Sequence, residues 1–528
     1  MKYPIGVQDF EQIIKEDYAY VDKTALIHKL VTTGKIYFLS RPRRFGKSLL
    51  VSTLKSYFQG KKELFKGLAM DALEHEWTEY PVFHIDFNGE NFHSPKSLDD
   101  KIEKFLADHE NIYGKNPNSR NTGDRFIDLL KAAHEKYGQR AVVLIDEYDK
   151  PILDVLDTGY TTQVEGEHRL LEDLHRNTLK GFYSVFKAAD EHLQFVLLTG
   201  VTKFSQVSVF SGFNQPKDIS MDYRYEALCG ITEEELHSYF VEPIQELANK
   251  YKCSEEEMKL KLKDQYDGYH FSDELTDIYN PFSILNAFSS LRLADYWFAT
   301  GTPTYLIRLL NHTQENLNEL TGRYYDPSQF IDYKADVEKP LPMIFQSGYL
   351  TIKDADLDTN SFLLDFPNNE VKKGFVTMIA ADYLKSKTEA GSWTLEIVRA
   401  LKKGDTEELC KLFTSFLADI PYSMRRKKDE RERERYFHYT FYLLMRMVSC
   451  YTVYTEKQQS EGRVDCIIEV PNYIYIFEFK LDGSADEALQ QIEKKGYARP
   501  YLTDKRHLYR IGVNFSSATG TVEEWKTL

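Results

Sequence analysis

The sequence has few cysteines, no long apolar run and no excess of positive charge. Its five cysteines include no CxxC pair, so we expect neither a disulfide framework nor a structural zinc site. No apolar stretch reaches the roughly 18 residues of a membrane span, and the first residues lack an apolar signal core, which predicts a cytoplasmic protein without a membrane partner. The net charge of -15 means that any nucleic-acid site must be a local patch.

The composition is otherwise that of a folded protein with several cores. Of the 528 residues, 42% are hydrophobic and 14% are aromatic, which excludes a disordered chain and supplies large groups for burial. At roughly 150 residues per domain, the length predicts several domains. We expect an α/β protein with three domains, at residues 1–225, 226–390 and 391–528.

A strand, a loop and a helix follow one another in the first domain. The run KIYFLS at residues 35–40 is typical of a β-strand, and LLVSTLKSYF after the loop has the apolar spacing of a helix. The loop between them, RPRRFGKS, matches G-x-x-x-x-G-K-[ST] at Gly46, Lys47 and Ser48, with Arg41 in place of the first glycine. This pattern predicts a parallel-sheet nucleotide domain in which Lys47 binds the β and γ phosphates and Ser48 binds Mg²⁺.

The residues between Arg41 and Gly46 belong to the same predicted ATP site. Backbone N–H groups that precede a helix and open it are suited to phosphate binding. We expect Arg41, Arg43 and Arg44 to add positive charge there, and Phe45 completes the loop.

A second acidic element supports the nucleotide site. The segment AVVLIDEYDKP at residues 141–151 is apolar up to Asp146 and Glu147, as expected for a buried parallel strand whose carboxyl end faces a ligand. In this interpretation Asp146 binds Mg²⁺ through water, and Glu147 orients or deprotonates the attacking water. The alternative, a strand that ends in a solvated acidic turn, is disfavoured by the phosphate loop upstream.

Two further strands fit the same sheet, PVFHIDF at residues 81–87 and FVLLTG at 195–200. Thr199 ends the second strand, where it is expected either to sense the γ-phosphate or to cap its own backbone. Thr232 and Glu235 form a capping-box pattern, which indicates that a helix starts there and the sheet domain has ended.

The middle domain shows helical spacing followed by a hairpin. The runs LTIKD at 350–354 and SFLLDF at 361–366 bracket a polar turn. We therefore predict a helical lid with a winged-helix-like module. Because Asp354, Asp356 and Asp358 make its tip acidic, a rigid arm is favoured over a DNA-binding wing.

The C-terminal domain contains a second hairpin, GRVDCIIEVPNYIYIFEFKLDG at residues 462–483. A turn centred on Pro471–Asn472 places Asp465 opposite Glu478, with Lys480 on the same face. Opposed side chains have Cβ atoms about 5 Å apart, close enough for both carboxylates to bind one Mg²⁺ or Mn²⁺. Lys480 is then suited to stabilising the attacking hydroxide or the charge on phosphorus. An ordinary charged surface sheet is the alternative.

Two flanking segments complete this candidate site. The charged run at residues 425–435 is either a solvated helix face or a local basic patch for nucleic acid. Downstream, residues 484–497 predict a capped helix whose Gln491 and Tyr497 face the same cleft.

Both ends of the chain resemble known families. The stretches YPIGVQDFEQIIKEDYAYVDKT, RPRRFGKS and LIDEYDKPI resemble the AAA-ATPase-like family of bacterial proteins. The pattern D-x12-E-x-K resembles the restriction-endonuclease-like PD-(D/E)XK nuclease superfamily domain that commonly closes such chains. RPRRFGKS with LIDEYDKP is highly specific, whereas D-x12-E-x-K alone is weak.

The resemblance implies roles for individual residues. For ATP and Mg²⁺ it implies Lys47, Ser48, Asp146 and Glu147, and for phosphodiester hydrolysis it implies Asp465, Glu478 and Lys480. Glu434, in the helix before the sheet, matches the superfamily's additional acid, and Gln491 matches its helix glutamine.

Two hypotheses follow. The first is an ATP-regulated nuclease that acts on DNA or RNA through a Mg²⁺-dependent site. The second is a signalling or scaffold NTPase whose nuclease-like domain only binds nucleic acid or a partner protein, which the net charge of -15 favours. Assembly as a homo-oligomer stays open, as does the arginine finger, for which Arg169, Arg176 and Arg224 are the candidates.

Overall fold

The computed structural model describes residues 1–164, 166–204, 216–299, 320–331, 340–375, 390–418, 452–459 and 462–528. The chain divides into two compact units, a first unit of Met1–Glu370 and a second unit of Val371–Leu528. The finer division into three domains with boundaries near 225 and 390 stays a prediction.

The first unit combines a parallel sheet with helices and small antiparallel sheets. Its described strands are β1 (Ile36–Ser40), β2 (Val82–Asp86), β3 (Ala141–Asp146), β4 (Thr161–Val164), β5 (Glu167–Leu170), β6 (Leu193–Gly200), β7 (Lys217–Asp218), β8 (Ile231–Thr232), β9 (Ile278–Tyr279), β10 (Arg323–Tyr325), β11 (Thr351–Asp356) and β12 (Ser361–Asp365). Its described α-helices are α1 (Phe10–Lys15), α2 (Thr24–Thr33), α3 (Lys47–Phe58), α4 (Ala69–Leu73), α5 (Ser97–Tyr113), α6 (Thr122–Tyr137), α7 (Lys150–Leu153), α8 (Leu171–Ala188), α9 (Glu233–Tyr239), α10 (Val241–Tyr251), α11 (Glu255–Tyr266), α12 (Pro281–Ser290), α13 (Tyr296–Ala299) and α14 (Leu341–Gln346).

The parallel sheet has the strand order β2-β3-β6-β1-β7. The four strands predicted from apolar runs are all present, and β3 is buried at every position, because a parallel sheet is covered on both faces. Since β6 lies between β1 and β3, the carboxyl ends of three neighbouring strands meet at one edge. The phosphate-loop match, Asp146 and Thr199 all lie at that edge.

The helical region after the sheet has its own apolar core, built mainly from α9 to α12 around Leu236, Phe240 and Leu262. The predicted capping box is present at the start of α9, where Thr232 and Glu235 bind each other's backbone. The helix α9 therefore begins where the sequence pattern places it.

The predicted hairpin is formed by β11 and β12, which pair antiparallel around the turn at residues 357–360. The strand β10 joins its other edge, giving the order β10-β12-β11. The hairpin is confirmed; the winged-helix-like character of the module remains a prediction.

The second unit is a mixed sheet with helices. Its described helices are α15 (Ala390–Lys403), α16 (Thr406–Ala418) and α17 (Ala485–Lys494), and its described strands are β13 (Thr452–Gln459), β14 (Gly462–Glu469), β15 (Tyr473–Leu481), β16 (His507–Phe515) and β17 (Val522–Thr527). The strands follow one another in the order β13 to β17, and β15 and β16 pair in parallel. A parallel pair requires a crossover, which α17 provides between β15 and β16.

Both faces of this mixed sheet are covered. On one face the Tyr475 hydroxyl donates to the Leu401 carbonyl at 2.7 Å. On the other, Ile474 and Ile476 pack with Leu489 and Ile492 of α17. The face that carries Glu478 is also buried along most of its length, because the crossover helix lies on it.

No helix in the described ranges is both long and apolar enough to span a bilayer. The four cysteines that the structure describes are all free thiols.

Candidate functional sites

The loop between β1 and α3 presents backbone donors at a helix start. Gly46 is the residue before α3 and has φ 93°, a left-handed conformation that glycine adopts without strain. Arg44 also has a positive φ, of 69°. The N–H groups of the first turn of α3, including that of Ser48, have no intrahelical partner and are suited to binding an anion.

The ammonium of Lys47 lies inside this loop. Its side chain is buried, and Nζ lies 3.1 Å from the Arg41 carbonyl oxygen and 3.4 Å from that of Pro42. Glu147 Oε1 is 3.3 Å away. The predicted phosphate ligand and the predicted catalytic acid are therefore brought together, although residues 47 and 147 lie on different elements.

Thr199 connects the two strands that carry the predicted nucleotide residues. Its hydroxyl donates to Asp146 Oδ1 at 2.5 Å, and both side chains are buried. Of the two roles expected for Thr199, capping of its own backbone is wrong, because the hydroxyl binds the neighbouring strand's carboxylate. Asp146 is thereby oriented by a charge-assisted hydrogen bond.

Glu147 directly follows Asp146 and has the unusual φ of 53°. Burial raises the pKa of its carboxyl to about 7, against the opposing charge of Lys47 and with smaller contributions from Asp149 and Asp146. A carboxylate with a pKa in this range is suited to accepting a proton near neutral pH.

Tyr148 and Asp149 also belong to this site, and sequence reasoning missed both. Asp149 is fully buried and accepts hydrogen bonds from the backbone N–H groups of Val201 and Thr202. The available signal was the run DEYD, in which an aromatic separates an acidic pair from a third acid. It did not show which acid is buried.

Arg41 has a structural role that the sequence prediction did not foresee. Its guanidinium is buried, donates to the Ser220 carbonyl at 2.7 Å and lies 4.0 Å from the centroid of the Phe271 ring. Its terminal nitrogens donate to backbone carbonyls, and a contribution of its charge to phosphate binding stays a prediction. The arginine thus ties the loop to the segment after β7 and to residues after α11.

The other loop residues contact the helical region of the same unit. The Arg43 carbonyl accepts the Trp297 indole N–H at 3.0 Å, and the Arg44 guanidinium lies 5.0 Å from the Phe282 ring centroid. The Phe45 ring is buried, with its centroid 4.8 Å from that of Tyr269 and 5.5 Å from that of Phe271. A role for these three residues in binding ATP stays a prediction.

The three arginine-finger candidates all have local partners. Arg176 pairs with Glu172 and Asp173, Arg224 pairs with Asp222, and Arg169 lies 3.6 Å from Glu167. The structure therefore singles out none of them.

The second candidate site lies on the hairpin β14–β15. The observed register pairs Cys466 with Phe477 and Glu469 with Ile474, which confirms the predicted turn at Pro471–Asn472. The next position in this register places Asp465 opposite Glu478. Asp465 Oδ2 accepts the Phe479 N–H at 2.8 Å, so its carboxylate is held against β15.

Glu478 is a buried carboxylate with one oxygen left over. Its Oε1 accepts a hydrogen bond from the Gln491 amide, while Oε2 is buried with no donor among the described residues. Burial, followed by the charge of Asp465, raises the pKa of Glu478 to about 8. A bound cation would also relieve the repulsion between these two close carboxylates, since it offsets both charges.

Lys480 and Gln491 complete the cluster. Lys480 Nζ donates to Gln491 Oε1 at 2.7 Å. Gln491 lies on α17, whose start is set by the capping box of Ser484 and Glu487. The helix thus places the Gln491 amide against Lys480 and Glu478, and its part in catalysis stays a prediction. Burial, followed by the Glu478 charge, raises the pKa of nearby Tyr497.

The donor set fits a hard divalent cation in part. Asp465 and Glu478 supply carboxylate oxygens, which Mg²⁺ and Mn²⁺ prefer. Within the described ranges, no group of three His, Cys, Asp or Glu side chains could hold a metal ion. Glu434, the predicted additional acid, lies outside the described residues, as does the charged run at 425–435.

Comparison with known proteins matches both ends of the chain. Residues 4–210 match the family model described as predicted AAA-ATPase, and residues 432–525 match that of the PD-(D/E)XK nuclease superfamily. The chain belongs to the AAA-ATPase-like family with a C-terminal PD-(D/E)XK nuclease superfamily domain. An uncharacterized protein in the vnfD 5′ region of Azotobacter chroococcum mcd 1 is 35% identical over 527 residues, covering 99% of this chain and 98% of that protein.

Proposed function

We propose that this protein binds and hydrolyses ATP in its first unit and cleaves DNA or RNA in its second unit, with the nucleotide state regulating cleavage. The observation that carries the nuclease proposal is the cluster of Asp465, Glu478, Lys480 and Gln491, in which a buried Glu478 oxygen has no donor among the described residues. The proposed location is the cytoplasm.

In the nuclease site, Asp465 and Glu478 would hold Mg²⁺ or Mn²⁺. When bound, such an ion supplies Lewis-acid activation of the phosphodiester and lowers the pKa of a coordinated water. Lys480, which Gln491 positions, supplies positive charge for the attacking hydroxide or for the phosphorane oxygens. The buried sheet beneath the cluster keeps these groups in place.

In the nucleotide site, the loop N–H groups and Lys47 bind the phosphates, and Ser48 and Asp146 would hold Mg²⁺. Glu147 accepts a proton from the attacking water as ATP and water give ADP and phosphate. Thr199 orients Asp146 through its hydroxyl.

The test is cleavage of single- and double-stranded DNA and RNA by the full chain with Mg²⁺ or Mn²⁺, with and without ATP. Lys480→Ala should abolish cleavage and leave ATP binding intact, because it removes the charge beside the scissile phosphate. Lys495→Ala, which removes an exposed lysine just after α17, is the matched control and should cut as the wild type does. Lys47→Ala should weaken ATP binding and change the cleavage rate.

The second candidate function is a scaffold NTPase whose nuclease-like domain only binds a partner. The net charge of -15 favours it, because a broadly negative surface repels nucleic acid. ATP hydrolysis without cleavage of any of the four substrates would favour this candidate over the nuclease. Retained cleavage in Lys480→Ala would overturn the assignment of the nuclease site.

A further inference from the structure

Two segments at the edge of the parallel sheet are connected by a dense set of hydrogen bonds. The first segment is residues 146–149, directly after β3, and the second is residues 199–204, at the end of β6 and beyond it. Thr199 Oγ1 donates to Asp146 Oδ1 at 2.5 Å, and the Tyr148 N–H donates to the Thr199 carbonyl at 2.9 Å. The hydrogen bonds between the two segments therefore begin at the first residue of each, Asp146 and Thr199.

Asp149 is the centre of this connection. Its Oδ2 accepts three hydrogen bonds, from the Val201 N–H at 3.0 Å, the Thr202 N–H at 2.6 Å and the Thr202 hydroxyl at 2.7 Å. The side chain has no exposed surface, so these bonds replace water as its source of donors. Burying a carboxylate costs free energy, and hydrogen bonds offset that cost only where the donors are held in place.

Tyr148 reinforces the same connection from the neighbouring position. Its hydroxyl donates to the Thr202 carbonyl at 2.9 Å and accepts the Phe204 N–H at 3.2 Å. The two side chains also limit Gly200: a Cβ there would lie 2.7 Å from Asp149 Oδ1 and 2.7 Å from a Tyr148 ring carbon. The close approach of the two segments thus requires glycine at position 200.

Glu147 lies between the residues that make these bonds. Its carboxylate lies 3.3 Å from Lys47, while the residues on either side bind the segment 199–204. Its φ of 53° lies in the left-handed region, which a glutamate adopts only when the surrounding structure requires it. The hydrogen bonds of Asp146, Tyr148 and Asp149 fix the backbone on both sides of Glu147 and so hold it in this conformation.

We propose that Asp149 is a positioning residue, which fixes the backbone at Glu147 and so directs the Glu147 carboxylate into the nucleotide site. The inference rests on the proposed ATPase function and adds to it a residue outside the proposed phosphate, metal and water ligands. Asp149 does not touch nucleotide in this role. Its loss should reduce turnover and leave nucleotide binding nearly unchanged.

The test compares Asp149→Ala and Asp149→Asn in the full chain. Asp149→Ala should lower kcat for ATP hydrolysis at least about tenfold, because a misplaced catalytic group costs that much or more, with KM and ATP affinity within about threefold of wild type. Asp149→Asn should restore kcat to within about threefold, since the amide oxygen can accept the same N–H donors. Glu191→Ala, at a site 83% exposed, is the control and should change nothing.

A second readout does not depend on ATP hydrolysis. Hydrogen exchange followed by mass spectrometry should show faster exchange in both segments, 146–149 and 199–204, for Asp149→Ala and not for Asp149→Asn. Thr202→Val, which removes one donor and keeps the backbone bonds, should give a smaller change and serves if Asp149→Ala fails to fold.

Unchanged exchange in both segments, or equal kcat in Asp149→Ala and wild type, would overturn the proposal. A parallel loss of ATP binding and turnover would also overturn it, because positioning of Glu147 does not act on the phosphates. If wild-type protein fails to hydrolyse ATP, the proposed function fails, while the exchange measurement still decides the role of Asp149.

Discussion

Lys480 and Glu478 bind opposite ends of one side-chain amide. Lys480 Nζ donates to Gln491 Oε1 at 2.7 Å, and Gln491 Nε2 donates to Glu478 Oε1. The amide thereby sets the separation of the predicted catalytic lysine and the predicted metal ligand, although it comes from a helix and they come from a strand.

Gln491→Leu should therefore impair the nuclease site without unfolding the domain. Loss of a residue that orients a metal ligand typically lowers metal affinity or activity about 10- to 100-fold, and we expect a loss of that size in Mn²⁺ affinity and in cleavage. Gln490→Leu, at an exposed neighbouring position on α17, is the control. Equal behaviour of the two variants would contradict the role of Gln491.

Thr199→Val should slow ATP hydrolysis and spare ATP binding. Valine keeps the shape of threonine but removes the donor to Asp146, a charge-assisted bond of about 1.5–3 kcal/mol, which corresponds to a rate loss of roughly tenfold or more. Thr199→Ser should retain most activity. The exposed Thr32 provides the control variant, Thr32→Val; wild-type turnover in Thr199→Val would refute the prediction.

Arg41→Gly, which restores the loop consensus, should destabilise the protein and not activate it. The guanidinium donates to the Ser220 carbonyl and packs on Phe271, and the lost bonds and packing should lower the free energy of unfolding by about 2 kcal/mol. Arg41→Lys should recover little of this stability, because an ammonium lacks the planar set of donors that a guanidinium presents. Thermal unfolding of the three proteins checks this, and a raised midpoint for Arg41→Gly would contradict it.

Asp267 should make the stability of the first unit depend on pH. Burial, followed by the charge of Asp277, raises its pKa to about 7, with Lys263 opposing and Glu233 adding to the shift. The folded protein thus holds this proton more tightly than the unfolded chain does. The contribution of this proton to the free energy of unfolding is complete below the carboxyl's ordinary pKa near 4. It is lost as the pH rises to about 7.

Asp267→Asn should remove this pH dependence, because the amide carries no charge at any of these pH values. The variant should gain stability over wild type at pH 8, and the gain should exceed that at pH 5 by the order of 2 kcal/mol. Asp273→Asn, at an exposed position, is the control. Thermal midpoints of the three proteins at both pH values decide the matter, and an equal gain at pH 5 and pH 8 would argue against the assignment.

The local sequence was sufficient to predict strands, helix starts and hairpin register, because each of these is encoded in one short run of residues. The strands β1, β2, β3 and β6, the capping boxes at Thr232 and Ser484, and the register that places Asp465 opposite Glu478 were all predicted. Each depends on neighbours within a few residues, or on the strict alternation of side chains in a two-stranded hairpin.

The tertiary structure alone decided the contacts between distant segments. The sequence did not show that Thr199 binds Asp146, that Asp149 is buried against Val201 and Thr202, or that the Arg41 guanidinium binds the Ser220 carbonyl. The partners in these contacts lie about 50 to 180 residues apart, and a hydrogen-bond donor or a buried charge looks the same in sequence whether its partner is water or a distant carbonyl. Burial is a property of the packed chain, so the sequence determined which groups are present and the fold determined what each one binds.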